Sequence, residues 1–188
     1  MKKRIALLLA GVLAVGCLTA CGGGNNAAKV KVGLGAHVQM DYSTKDADAT
    51  AEEGKQNGTA QADLHVAAVT VDADGKIVAV EVDSIQMKAT FNTKGEVVLG
   101  TEQKFQTKKE LGDNYNMKKY GPQPPAAIGK EWYEQADHFM NLAKDKTLAD
   151  IKAIAIDDGG YPTGDDMKAG CTMKVAAYIA AINNALGR

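Results

Sequence analysis

The chain has 188 residues, of which 24% are charged, and its formal net charge is −1. That length suits one domain with a core large enough to fold without disulfide or metal staples. The absence of any positive excess argues against nucleic acid as a partner.

The first element is an export signal. Three cations, Lys2-Lys3-Arg4, precede an apolar run from Ile5 to Val15, too short to span a bilayer as a stable helix. Leu18-Thr19-Ala20-Cys21 then closes it. These four residues resemble the bacterial lipobox, whose final cysteine is acylated and becomes the first residue of the mature chain. The resemblance implies a signal peptide over 1–20, lipid on Cys21, and a membrane-anchored protein facing the extracytoplasmic side. An ordinary signal peptide is the plainer alternative. Cys17 is a competing site, but Ala14-Val15-Gly16 before it lacks the leucine. Removing residues 1–20 takes away three Lys or Arg and no acid, leaving 19 cations against 23 anions. If Cys21 carries lipid, Cys171 has no partner for an internal disulfide.

Residues 21–28 open with Gly22-Gly23-Gly24-Asn25-Asn26 and read as a flexible tether. The folded domain is expected over 29–188. From Val30 to Tyr42 every even position is apolar or Ala, against Lys31, Gly33, Gly35, His37, Gln39 and Asp41. This predicts a strand with its even face buried. A polar stretch, 43–59, precedes Ala60, Ala62, Leu64, Val66 and Ala68, which resume the parity. A hairpin with a long, mobile loop is expected, its centre near Ala51 setting His37 opposite His65. Asp72-Ala73-Asp74-Gly75-Lys76 predicts a second hairpin turn and is too short for a calcium loop. Val78, Val80 and Val82 are even whereas Ile85, Met87, Ala89 and Phe91 are odd, which predicts a bulge or bend near Asp83-Ser84. Thr93-Lys94-Gly95-Glu96 is a further turn, leading into 97–99.

The second half changes period. Thr107 to Tyr120 is polar, and Gly121-Pro122-Gln123-Pro124-Pro125 breaks the chain. Ile128, Trp132, Ala136, Phe139, Met140 and Ala143 then fall at helical spacing, and Thr147-Leu148-Ala149-Asp150 has the form of a capping box. Val175, Ile179, Ile182 and Leu186 lie on one stripe of a C-terminal helix. Strands followed by segregated helices give the fold class: α+β, an antiparallel β meander packed by C-terminal helices, in a single domain.

Asp166-Met167-Lys168-Ala169-Gly170-Cys171-Thr172 runs from an acidic, glycine-rich loop toward that last helix. The segment resembles the motif of the FMN-binding domain of bacterial electron-transfer proteins, an Asp, two residues, Ser or Thr, then Gly-Ala-Thr. Asp166, Gly170 and Thr172 match, while Ala169 replaces the hydroxyl residue and Cys171 the alanine. The strand-turn-strand Val69 to Val78 is similar to the one preceding that family's site. The resemblance implies FMN joined to Thr172 through a phosphoester by a flavin transferase, and electron transfer with a membrane redox partner. In this reading the protein is a carrier more than a turnover enzyme. A threonine in the first turn of a helix would set a phosphate against free N–H groups; a plain cap is the alternative. Glu110-Leu111-Gly112-Asp113 and Ile128-Gly129-Lys130-Glu131-Trp132-Tyr133-Glu134-Gln135 resemble stretches of uncharacterised lipoproteins of anaerobic Gram-positive bacteria. That likeness leaves open a flavin-free ligand-binding or interaction lipoprotein on the same scaffold.

Other candidates carry less. Cys171 reads as a small buried hydrophobe or as a thiol activated at a helix start. His37 and His65 form a pair without a third metal ligand, so solvated or hydrogen-bonded rings are expected. Trp132, Tyr133 and Phe139 suit a core or a flavin-stacking wall. Asp157, Asp158, Asp165 and Asp166 read as a solvated acidic loop. No catalytic residue or metal ligand is assigned, since no Ser-His-Asp order, metal-protease helix or phosphate loop is present.

Overall fold

The structure is a computed structural model that describes residues 29–40, 45–98, 105–120 and 128–187. The signal, Cys21, the tether and the proline-rich break lie outside the described residues. Three strands, β1 (Lys31–Met40), β2 (Gly58–Val71) and β3 (Ile77–Phe91), form an antiparallel sheet in the order β1-β2-β3. Helices follow: α1 (Lys108–Leu111), α2 (Met117–Tyr120), α3 (Trp132–Ala143), α4 (Leu148–Lys152), α5 (Asp165–Lys168) and α6 (Ala176–Leu186). The fold is α+β, a meander packed by the helices of the second half.

One turn chemistry recurs three times. Asp72 Oδ1 accepts the N–H groups of Asp74 and Lys76 at 3.0 and 2.9 Å. Asn92 Oδ1 does the same for Lys94 and Glu96, both at 2.9 Å, and Asp157 Oδ1 for Gly159 and Tyr161, also at 2.9 Å. The fourth residue of each turn is a glycine with positive φ, Gly75, Gly95 and Gly160. A short side-chain acceptor closing onto its own backbone, with glycine where the chain turns left-handed, accounts for all three. The β1–β2 register pairs His37 with His65, as the hairpin centre near Ala51 predicts. The loop between these strands is described only from Lys45 on. Its described part is pinned to β2 by Lys45 and Thr59, which exchange backbone hydrogen bonds of 2.7 and 2.8 Å.

The buried face of the sheet is opposite to the one the alternation predicts. In β2 the odd residues Thr59, Gln61, Asp63, His65, Ala67, Val69 and Val71 are buried, joined on β3 by Val80, Val82 and Ser84. The even residues of β1, Val32, Leu34, Val38 and Met40, are exposed. The cause is α6. A Cβ at Gly33 or Gly35 would run into the backbone of Ala185 or Ala181, so only glycine lets the helix lie this close. Asn184 Nδ2 fixes the contact by donating to the Ala36 carbonyl at 2.8 Å.

The expected bulge at Asp83-Ser84 is also replaced. β3 is continuous there, and the register shifts instead where Thr70 and Val71 meet Ala79 and Ile77. The change of parity in β3 marks a change of face. Val80 and Val82 pack under the helices, whereas Ile85 and Met87 share the other face with Leu64 and Ala62. On that other face Lys109 of α1 engages Glu81 and Asp83, while Val32, Leu34, Val38 and Met40 of β1 stay exposed.

Elsewhere the helical pattern holds except at its first member, since α3 starts at Trp132 behind the Glu131 cap and Ile128 precedes it. α3 buries Trp132, Ala136, Phe139, Met140 and Ala143 together with Gln135. α4 opens on the Thr147–Asp150 capping box, and α6 buries Tyr178, Ile179 and Ile182. These join Val69, Ile77, Val82, Ile151 and Val175 in one core, each large apolar side chain contributing about 1.5–3 kcal/mol. The stretch from Thr107 to Tyr120 contains α1, with a Thr107–Glu110 capping box, a 3-10 turn over Gly112–Tyr115, and α2.

Candidate functional site

Two polar residues on the buried stripe of α3 organise the region. Glu131, its N-cap, and Gln135, one turn later, are 4% and 2% exposed. The Glu131 carboxylate accepts the N–H groups of Met117 at 2.7 Å and Lys118 at 3.3 Å, the opening donors of α2. Gln135 Nε2 donates to the Lys130 carbonyl at 3.2 Å and toward Met117 Sδ at 3.6 Å. Its amide oxygen faces the other way and accepts from Thr172 N at 2.9 Å, Met173 N at 3.2 Å and Thr172 Oγ1 at 3.4 Å. One side chain therefore bridges the segment around Met117 and the segment around Thr172. Buried amide groups carry a desolvation cost unless bonded at both ends, and here both ends are bonded.

The residues matching the FMN-binding motif lie on the second of these segments. Asp166 is exposed on α5, and its carbonyl lies 2.8 Å from His138 Nε2. Gly170 packs against the imidazole of His138, which any Cβ would overlap, so this glycine has a packing reason of its own. Cys171 is fully buried, and burial pushes its thiol up to about 11. That separates it from activated thiols, which are exposed and electropositive.

Thr172 is half-buried and precedes α6 instead of sitting in its first turn. The start of that helix is already engaged, since the N–H groups of Val175 and Ala176 point to the Gly160 carbonyl at 2.9 and 3.4 Å. The helix-terminus argument for a phosphate at Thr172 thus does not apply to this geometry.

A second polar group lies on the covered face of the sheet. Thr59, Gln61, Asp63 and His65 follow one another along β2, and all are buried. Gln61 Nε2 donates to Asp63 Oδ1 at 3.0 Å. The His65 ring lies 6.5 Å from that of His37 and meets Tyr178 edge-on at 5.0 Å. The Tyr178 hydroxyl accepts from Trp132 Nε1 at 3.1 Å, and burial raises the phenol above its ordinary range. The histidine pairing follows expectation, while His65 is buried on the covered face and so is not a solvated ring. Trp132 and Phe139 pack on Tyr178 with ring centroids 5.9 and 6.2 Å away. Tyr133 instead turns outward and donates from its hydroxyl to Asp113 at 3.1 Å. Among the described residues no group of three or more His, Cys, Asp or Glu side chains is placed to hold a metal ion.

Of the acidic loop, Asp157 closes its own turn and Asp165 pairs with Lys168 at 3.2 Å. Glu131 and Gln135 are the residues that sequence reasoning missed. The signal was present: Gln135 falls between Trp132 and Ala136 on the apolar stripe of α3, where a polar side chain needs a buried partner.

Comparison with protein-family models, with curated proteins and with solved structures returns no match.

Proposed function

We propose that the protein is a lipid-anchored extracytoplasmic lipoprotein whose domain works by interaction and carries no flavin. The observation that carries this reading is the uncovered sheet face, where Val32, Leu34, Val38 and Met40 stand well exposed beside Leu64, Val66, Ile85 and Met87. Contiguous apolar area of this extent marks an interaction surface more often than idle exterior. The anchor is Cys21, which would hold the domain at the membrane through the tether at 22–28; several acyl chains make such anchoring durable. Labelling cells with a palmitate analogue tests this part. The wild-type chain is expected to take up the label and sediment with membranes, and Cys21→Ala to lose both; label retained on the variant would contradict it.

A second reading, a covalent FMN carrier passing electrons to a membrane redox partner, is favoured by one feature. The Thr172 hydroxyl is half-buried, with Gly170 and Asp166 on the same short segment. Against it stands the Gln135 oxygen, which takes both N–H groups at that position. Coexpression with a flavin transferase separates the readings: a fluorescent band surviving denaturing electrophoresis and absent from Thr172→Ala would establish the carrier.

A further inference from the structure

We infer that the apolar ridge of β1 docks on the surface of the bilayer to which the chain is anchored, so that the domain lies tipped onto its edge strand. This deepens the interaction reading by naming the partner, and it rests on the lipid at Cys21. The ridge is Val30 followed by Val32, Leu34, Val38 and Met40, with exposures from 49% at Val30 to 75% at Leu34. It starts two residues after the tether ends.

Position selects the occupant. Lys29 stands eight positions after Cys21, a span of at most about 29 Å however the chain runs. The ten residues of β1 themselves cover about 33 Å, so acylation of Cys21 keeps the start of the ridge within one strand length of the bilayer. No other surface is held at that distance by the chain itself. Tethered in this way, the ridge meets lipid at an effective concentration in the millimolar range, and an intrinsic dissociation constant of about 1 mM is enough to keep it docked half the time.

Charge agrees with position. β1 carries no acid, and Lys29 and Lys31 stand exposed at its tether end, where cations reach headgroup phosphates while their stems lie along apolar surface. The anions of the uncovered face, Glu81 and Asp83, are on β3. Glu81 pairs with Lys109, and Asp83 accepts the N–H of Ser84 at 2.7 Å and that of Lys109 at 3.3 Å. Neighbouring strands lie about 4.8 Å apart, which sets β3 about 10 Å from β1. Interfacial helices bury their apolar faces about 5–10 Å into the headgroup boundary. A sheet tipped onto β1 to a similar depth sinks the ridge and leaves Glu81, Asp83 and Lys109 in water.

The test couples the chain starting at Cys21, through that thiol, to a maleimide lipid in vesicles of phosphatidylcholine and phosphatidylglycerol; Cys171 is buried and does not compete. The readout is the rate of Met40 sulfoxide formation in hydrogen peroxide, followed by peptide mass, with buried Met173 as the internal reference. Relative to the same chain coupled to a soluble maleimide, the vesicles are expected to slow Met40 oxidation about threefold. Val32→Glu with Leu34→Glu, both at exposed positions, should restore the free rate with the circular dichroism unchanged. An equal rate on and off vesicles would overturn the inference, as would protection that the Glu variant keeps. Protection that grows with protein density at constant lipid would also overturn it and give the ridge to a second copy. Because the coupling replaces the acyl chain, docking is read whether or not cells acylate Cys21; the anchor reading fails separately, if Cys21→Ala retains the palmitate label.

Discussion

Gln135 decides more than any other residue how the Thr172 segment is held. Its removal leaves the buried or half-buried N–H groups of Thr172 and Met173 without their acceptor, and each such loss costs about 1–3 kcal/mol. Gln135→Ala is therefore expected to lower the unfolding free energy by about 3 kcal/mol, read from denaturant midpoints, and to raise amide exchange at 172 and 173. Gln135→Glu keeps an acceptor oxygen and should recover part of the loss; equal losses would show that packing volume, not the acceptor, matters.

Cys171 gives a second residue-scale prediction. The folded thiol titrates near 11 against 9.0 for the free group, because burial penalises the thiolate. Between those values the unfolded chain is deprotonated while the folded one keeps its proton. The stabilising contribution is thus complete below pH 9 and falls as pH rises toward 11, by about 1.4 kcal/mol per unit at most. Replacing Cys171 by Ala should flatten that part of the stability profile. In native protein at pH 8 a thiol reagent should label Cys171 only at the rate of unfolding; immediate labelling would contradict its burial.

At the scale of elements, β1 and α6 are defined by two glycines. Gly35→Ala forces a methyl group into the α6 backbone near Ala181, and overpacking against main chain cannot be relieved by a rotamer change. A loss of about 3 kcal/mol or more is expected in thermal or chemical unfolding. Gly54→Ala, at positive φ in open space, should cost only about 1 kcal/mol. Comparable costs would mean that α6 does not press on β1.

The same contact explains what the sequence could and could not tell. Strand existence, the His37–His65 register, the α3 and α6 stripes and the Thr147–Asp150 box depend on local periodicity and turn chemistry, and all were legible. The covered face was not, because hydrophobic alternation ranks Val32 and Leu34 above Gly33 and Gly35, while the helix needs small residues beneath it. The parity change in β3 was visible, but a change of face and a bulge write the same pattern. α1, the 3-10 turn and α2 escaped because four residues are too few to display a helical period.

For the whole molecule, one face of the sheet carries the core and the other carries apolar side chains that the described helices leave open. The two buried polar groups have different partners. Gln135 ties the loop before α6 to α3, and His65 joins the aromatic cluster of Tyr178, Trp132 and Phe139. Two residues of the flavin-attachment resemblance have packing roles as well, Gly170 against His138 and Thr172 against Gln135.

The intact mass of the chain from Gly22, after coexpression with a flavin transferase shown to label a known substrate in the same cells, tests this account most directly. An unmodified mass, with the peptide containing Thr172 recovered unaltered, is the predicted result. A gain of one FMN less one water, mapped to Thr172 and lost in Thr172→Ala, would contradict it and make the domain a covalent electron carrier.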